Sequence, residues 1–442
     1  MLKVSLITLG CNKNQVDSEF LAYRLGQKYQ FTHELKDADI IILSPCAFLK
    51  SAREEALQYL QEVNKYKKNK CSCIVVIGCF AEYIETSDNK ELDDADLIVG
   101  ISNLTKLVDI IDKYYKDKQC QKYWIGNKNI ISLFDPYKRL IPNEASSFVK
   151  ISDGCSNNCS YCLIPKIRGP LRSRKMYEII EEVKYLAGSG VEEINVLGQD
   201  IGSYEDGSHD LLTLLLAIEK VSGIKWIRLL YMHPKHINGK FVEYIAKSDK
   251  ICNYIDLPIQ HVNDGILEKM GRKTTKQEII DILNLLRSKI PDIIIRSTFI
   301  VGFPGEGEKE FGELKDFIRE FTLDRVGFFP FSSEEGTEAH LLEGQVPENI
   351  KQRRLRDIKK LQIKIVRKRN KLFIGKVLEV IVEELVDNEQ GIYSGRSYIM
   401  APEVDGDVIF SSNDVLELNK FTKVIIHKCD EINLYGKVVE KG

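Results

Sequence analysis

Between residues 147 and 332 one pattern repeats six times: a short apolar run, then a stretch with helical spacing of its apolar residues. The runs are SFVKIS, EEINVLG, WIRLLY, YIDLPI, DIIIRSTFIVG and RVGFFPF, and the stretches between them include KMYEIIEEVKYLA and KQEIIDILNLLRSK. Recurrence at three and four residues lays one apolar stripe along a helix, and a continuous apolar run fits a strand covered on both faces. Six such units are two short of a closed eightfold barrel, so the pattern predicts an open (β/α)6 partial barrel.

The same alternation opens the chain. KVSLITLG (3–10), ADIIILSP (38–45), CIVVIG (73–78) and ADLIVG (95–100), with helical stretches from about Asp17 and Ser51, predict a small doubly wound α/β domain. After the barrel, residues 347–371 form a proline-opened helix carrying eleven Lys and Arg against two acids. Its first reading is a solvated connector, ahead of a nucleic-acid surface. From Phe373 onward, alternating runs such as KVLEVIVEEL and KVIIHKCDEINLYGKVV predict a small antiparallel β-barrel. The fold class is therefore α/β in three domains, 1–116, 141–371 with the connecting helix, and 373–442, with 117–140 as a linker.

No run approaches the roughly 18 to 20 apolar residues of a membrane span, and the first ten residues are too short for a signal peptide. A cytoplasmic protein with no membrane partner is expected. Eleven cysteines, an odd number, argue against a disulfide framework in that compartment, so cysteines that cluster become metal candidates.

Two groups stand out. GCSNNCSYC (154–162) places Cys155, Cys159 and Cys162 directly beyond the first barrel strand, at the rim where barrel enzymes assemble their chemistry. A structural zinc takes four protein ligands, and only three are offered; a catalytic zinc with a bound water remains an option, but a tight tri-thiolate suits a four-iron cluster with one open iron. Cys11, Cys46 and Cys79 each follow a predicted parallel strand, at the edge where open α/β sheets bind ligands, so the fold makes them neighbours and a second metal site. Cys71, Cys73, Cys120, Cys252 and Cys429 read as ordinary small side chains.

The CxxxCxxC spacing with an aromatic residue, Tyr161, before its last cysteine resembles the radical S-adenosylmethionine (SAM) superfamily. TLGCNKNQVDSE (8–19), PCAF (45–48), GCFAE (78–82), RGPLRSR (168–174), LGQDIGSY (197–204), IDLPIQH (255–261) and TFIVGFPGE (298–306) are similar to the methylthiotransferases, a branch of that superfamily. The likeness spans nearly the whole chain. It departs at Ser44-Pro45, where members commonly carry Asn-Thr before the second cysteine.

The resemblance implies two 4Fe-4S clusters, on Cys155, Cys159 and Cys162 and on Cys11, Cys46 and Cys79. It also implies SAM, with contacts among Gly198, Gln199, Asp200, Gln260, Gly302 and Glu306. A C–H bond would become C–S–CH3, one SAM giving the methyl group and another the radical, with electrons from a donor such as flavodoxin or ferredoxin. No further catalytic side chain is assigned.

The family has two substrate classes: an adenosine beside the tRNA anticodon, and the β-carbon of an aspartate in the twelfth protein of the small ribosomal subunit. The last domain occupies the place of a TRAM domain. From Phe373 to Gly442 it holds seven Lys and Arg against thirteen acids, a balance that repels a phosphate backbone and attracts a basic protein. GRSYIMAPEVDGDVIF (395–410) and IRLLYMHP (227–234) also resemble the ribosomal-protein branch. A basic ribosomal protein is the expected substrate and tRNA the alternative. From other classes, an RNA-binding protein with a structural metal, or a zinc hydrolase, would use the same cysteines differently.

Overall fold

Ile40, Ile41, Ile42 and Leu43 are fully buried along one strand, as are Cys73 to Ile77 along the next. Burial on both faces requires helices on both sides of a parallel sheet. The computed structural model, which describes residues 1–86, 92–129, 135, 137–140 and 144–439, has that sheet at its amino-terminal end. Its elements are β1 (Lys3–Leu9), α1 (Asn12–Gly26), β2 (Gln30–Phe31), β3 (Ile40–Pro45), α2 (Lys50–Asn64), β4 (Cys73–Ile77), α3 (Cys79–Thr86), β5 (Leu97–Val99), α4 (Leu107–Lys116) and β6 (Tyr123–Trp124). All strands are parallel in the order β2-β1-β3-β4-β5-β6. The winding direction reverses between β1 and β3, the switch point where such sheets bind ligands.

One amendment concerns the segment 117–140. Its Tyr123 and Trp124 pair with Ile98 and Val99 and complete the sheet, so only part of that stretch is a connection. Residues 130–134, 136, 141–143 and 440–442, which touch the expected linker and domain limits, lie outside the described residues.

The partial barrel follows as β7 (Ser146–Lys150), α5 (Ile164–Arg168), α6 (Met176–Gly188), β8 (Glu193–Leu197), α7 (Leu211–Glu219), β9 (Trp226–Leu229), α8 (Gly239–Lys247), β10 (Ile251–Asp256), α9 (Asp264–Lys269), α10 (Lys276–Lys289), β11 (Ile294–Val301), α11 (Glu308–Phe321) and β12 (Arg325–Pro330). Its six strands are parallel and in sequential order, which leaves the sheet open. Side chains alternate across each strand. Ile227, Leu229, Ile255 and Ile295 join the core beneath the helices, whereas Trp226, Tyr254 and Ile294 face the other way and meet the carboxy-terminal domain.

Helix α12 (Glu348–Asn370) packs on β12 through Ile358 and Ile365, while Gln362 donates to the Leu323 carbonyl at 3.0 Å. It is more than a solvated connector, because its inner face closes one side of the barrel. Arg356, Lys359, Lys360, Lys364 and Lys368 remain on its exposed face.

The last domain is a closed barrel of β13 (Val377–Asp387), β14 (Ile392–Ser397), β15 (Val408–Ser411), β16 (Phe421–Cys429) and β17 (Leu434–Val438), in the order β13-β14-β15-β17-β16. The expected small antiparallel barrel is present, with one pair, β15 and β17, running parallel. Five strands in a ring cannot alternate in direction all the way round, so one pair has to match. The barrel docks against β8 and β9, where Glu193 bridges Arg228 and Arg396 and Trp226 meets Phe421 edge-on at 4.7 Å.

Candidate metal centres at a shared barrel mouth

Beyond β7 the chain turns at Gly154, whose φ is +69° and where a side-chain carbon would lie 2.1 Å from the Pro170 carbonyl oxygen. Only glycine fits that approach. The turn delivers Cys155, whose N–H donates to the Gly169 carbonyl at 3.1 Å, into an irregular loop carrying Cys159 and Cys162. The N–H groups of Asn157 and Ile164 point at the sulfurs of Cys155 and Cys162, both at 3.4 Å, and Arg272 Nη1 is 3.9 Å from Cys159 Sγ. Donors of this kind stabilise thiolates and tune an iron-sulfur centre. Tyr161 packs edge-on against Phe303 at 6.4 Å, which anchors the loop between its last two cysteines.

Burial pushes the Cys162 thiol up to about 12, with Cys159 and Cys155 adding repulsion. The thiols repel one another when ionised, and a positive centre bound by them would relieve the repulsion. That donor chemistry fits a cluster.

The second trio forms at the switch point. Cys11 caps α1 after β1, Cys46 follows β3, and Cys79 begins α3 after β4, so two of the three lie at helix N-termini, which favour thiolate. Phe48 N–H points at Cys46 Sγ at 3.5 Å, and Arg168 Nε at Cys79 Sγ at 3.2 Å. Burial pushes Cys79 up to about 12, opposed by Arg168 and reinforced by Cys46 and Cys11. Burial would also raise Cys11, yet Lys13 and Arg168 outweigh it and hold that thiol below its ordinary value. These sulfurs too share one electrostatic field and suit iron. Among the described residues no three His, Cys, Asp or Glu side chains stand together as ligands of a single metal ion.

A buried ionic cluster joins the two trios. Arg168 pairs with Asp153 at 3.0 Å and with Asp17 at 3.2 Å; Lys150 pairs with Asp17 and, at 3.1 Å, with Asp153. Asp153 precedes Gly154, and Asp17 lies on α1 behind Cys11. One guanidinium thus touches a sulfur of one trio and the strand end that leads to the other.

The other rim residues divide into two groups. Gly198, Gln199 and Asp200 follow β8 beside the triplet, with Gln199 Nε2 3.4 Å from Asp153 Oδ1. Asp200 accepts from Asn157 Nδ2 at 2.8 Å, Ser203 Oγ at 2.8 Å and His233 N–H at 3.1 Å, and it faces His236 Nε2 at 3.1 Å. Burial opposes its charge, but His236 and these donors hold the carboxyl far below its usual range. Asp200 therefore braces the cysteine loop. Gln260 follows β10 with φ +76° and bridges Phe299.

Gly302 and Glu306 lie against α12: a side chain at Gly302 would strike Lys351, and Glu306 is enclosed by Arg354 at 2.9 Å and His261 at 3.3 Å. Arg272 lies outside the motifs singled out in the sequence, whereas His233, Arg168 and Lys13 lie inside IRLLYMHP, RGPLRSR and TLGCNKNQVDSE. For Lys13 the available signal was a charged residue within a cysteine motif.

The arrangement has known counterparts. A protein from Acetivibrio thermocellus described as ribosomal protein uS12 methylthiotransferase RimO is 39% identical over 450 aligned residues, covering 100% of this chain and 99% of its own. A Clostridium perfringens protein of the same description is 38% identical, over 100% and 99%. The chain belongs to the RimO family of methylthiotransferases. Family models agree domain by domain: Uncharacterized protein family UPF0004 at residues 3–100, Radical SAM superfamily at 149–318 and TRAM domain at 374–439.

This methylthiotransferase also shares its fold with two solved radical SAM enzymes. The methyltransferase TsrM from Kitasatospora setae has a TM-score of 0.56 at 12% identity, over 74% of this chain and 73% of its own. The cobalamin-dependent enzyme OxsB has a TM-score of 0.51 at 15% identity, over 82% and 56%. The chain is a transferase whose cofactors are 4Fe-4S clusters and SAM. Among the described residues no helix is long and apolar enough to cross a membrane.

Proposed function

We propose that this enzyme places a methylthio group on the β-carbon of an aspartate in ribosomal protein uS12. The observation that carries the reading is the pair of cysteine trios, each at its own strand ends, facing one mouth and tied by a single buried ion cluster. Cys155, Cys159 and Cys162 would hold the cluster that binds SAM, and Cys11, Cys46 and Cys79 the second. When bound, these groups supply hydrogen-atom abstraction from an unactivated carbon and the sulfur that replaces the hydrogen.

The chain's own residues do the rest. Asp200, through Asn157, fixes the triplet loop. Gln199, Gln260 and Arg272 line the same rim, and Arg272 Nε, which has no hydrogen-bond partner among the described residues, suits the carboxylate of SAM. Arg168 sets the spacing of the trios. The carboxy-terminal barrel and α1 cover the open face of the sheet and keep water from the reacting carbon.

Charge supports a basic protein as substrate. A cavity of about 300 Å³ between α1, β7 and the carboxy-terminal barrel is lined by Glu19, Glu144, Glu383, Glu403 and Asp407, with Arg396. Glu403 accepts from Asn12 at 2.7 Å, one residue beyond Cys11, so the acidic wall adjoins the second trio. Burial raises Glu144, and Glu403 adds to it, so an incoming cation would be favoured there. The exposed basic face of α12 favours tRNA. Electrons would come from a flavodoxin- or ferredoxin-type donor, in the cytoplasm where ribosomes are made.

Incubating the anaerobically reconstituted enzyme with SAM, a reductant and either uS12 or tRNA tests the reading. The expected result is one methylthio group on the uS12 aspartate by mass spectrometry. Modified tRNA adenosine beside unchanged uS12 would contradict it.

A further inference from the structure

We infer that Lys13 grips the carboxylate of the target side chain and so selects an acidic residue for modification. The inference deepens the reading above and rests on its aspartate substrate.

Lys13 is two residues beyond Cys11, in the first turn of α1. Its Nζ lies 3.8 Å from the centroid of the Tyr231 ring. Tyr231 follows β9 at the barrel rim with φ +62°, a costly conformation for a bulky residue and one that concentrates at functional sites. The backbone around it is fastened: its carbonyl accepts from Ile201 N–H at 3.1 Å, and Met232 N–H donates to the Asp256 carbonyl at 2.9 Å. The ammonium is thus held by α1 on one side and by a strained rim residue on the other.

Burial works against the charge of this ammonium and Arg168 repels it, while Cys11, Asp256 and Asp153 attract it. Both acids are already engaged. Asp153 pairs with Lys150 and Arg168, and Asp256 pairs with Arg296 at 3.0 Å. Among the described residues no acceptor stands within hydrogen-bond or ion-pair distance of Lys13 Nζ.

A half-buried cation with one side on an aromatic ring keeps its remaining N–H donors for an anion, and the ring has already restricted its stem. A substrate carbon has to be reached from both trios, and Lys13 spans from the helix that follows Cys11 to Tyr231 on the barrel rim. In aspartate the β-carbon is bonded directly to the carboxyl carbon, so a carboxylate held on Lys13 brings the C–H to be replaced beside Cys11. A neutral base such as adenine gains nothing from this contact.

The test is a double-mutant cycle on the reconstituted holoenzyme. Fluorescent uS12 peptides carrying the target aspartate, or asparagine in its place, are titrated against wild type, Lys13→Met and Lys13→Arg, with KM and kcat measured alongside. Wild type should prefer the aspartate peptide by roughly tenfold to a hundredfold, the range of a charge-assisted hydrogen bond. Lys13→Met should abolish most of that preference and Lys13→Arg should keep it. Iron per chain and melting temperature report whether each variant folds, and should Lys13→Met fail to fold, the wild-type ratio and Lys13→Gln still decide.

An aspartate preference unchanged in Lys13→Met would overturn the inference, including the case where only the potential of the neighbouring cluster shifts. A wild type that leaves uS12 unmodified would refute the substrate reading. A wild type that modifies it, with the ratio insensitive to Lys13, would refute the role of Lys13 alone.

Discussion

Single residues decide whether each trio can form. At Gly154 both the positive φ and the 2.1 Å approach to Pro170 exclude a side chain. Gly154→Ala should therefore displace Cys155 and remove the barrel cluster while the amino-terminal one persists, a loss of about half the iron per chain. Arg168 is the second such position. Replacing it with Ala removes the donor to Cys79 Sγ and one partner each from Asp17 and Asp153. Breaking a buried pair costs about 3 to 5 kcal/mol, and the low end applies here because Lys150 still reaches both acids. Urea unfolding of the metal-free protein should show that loss, with Arg168→Lys partly restoring stability.

At the scale of elements, Glu193 at the start of β8 joins the two barrels. It pairs with Arg228 at 2.9 Å and with Arg396 at 2.7 Å, and all three are almost wholly buried. Burial opposes its charge, but Arg396 and Arg228 overcome this and lower the carboxyl to about 2. The unfolded value is about 4.3, so the pairing stabilises fully above that pH and the contribution fades as pH falls toward 2. Glu193→Gln should destabilise by about 3 kcal/mol at neutral pH, and the gap between variant and wild type in unfolding experiments should narrow from pH 4 downward. A gap that stays constant with pH would mean that Glu193 is not ionised in the folded protein.

Sequence made the strands, and the cysteines that stand immediately beyond them, legible because continuous apolar runs are a local pattern. The parallel pair in the last barrel was not legible, since it follows from ring closure. Nor were the contacts that Gly302 and Glu306 make with α12, since Arg354 lies 48 residues beyond Glu306. Long-range partners leave no periodicity to read.

Across the whole molecule, the proposal is that the open barrel, the switch point of the first sheet and the acidic third domain let two sets of three thiols serve one reaction chamber. The most direct test is iron and sulfide analysis with Mössbauer spectroscopy on wild type and two triple variants, Cys11, Cys46 and Cys79 to Ala, and Cys155, Cys159 and Cys162 to Ala. About eight irons per chain in wild type, and about four in each variant, is the predicted result. Four irons in wild type, lost entirely in one variant and untouched in the other, would contradict it.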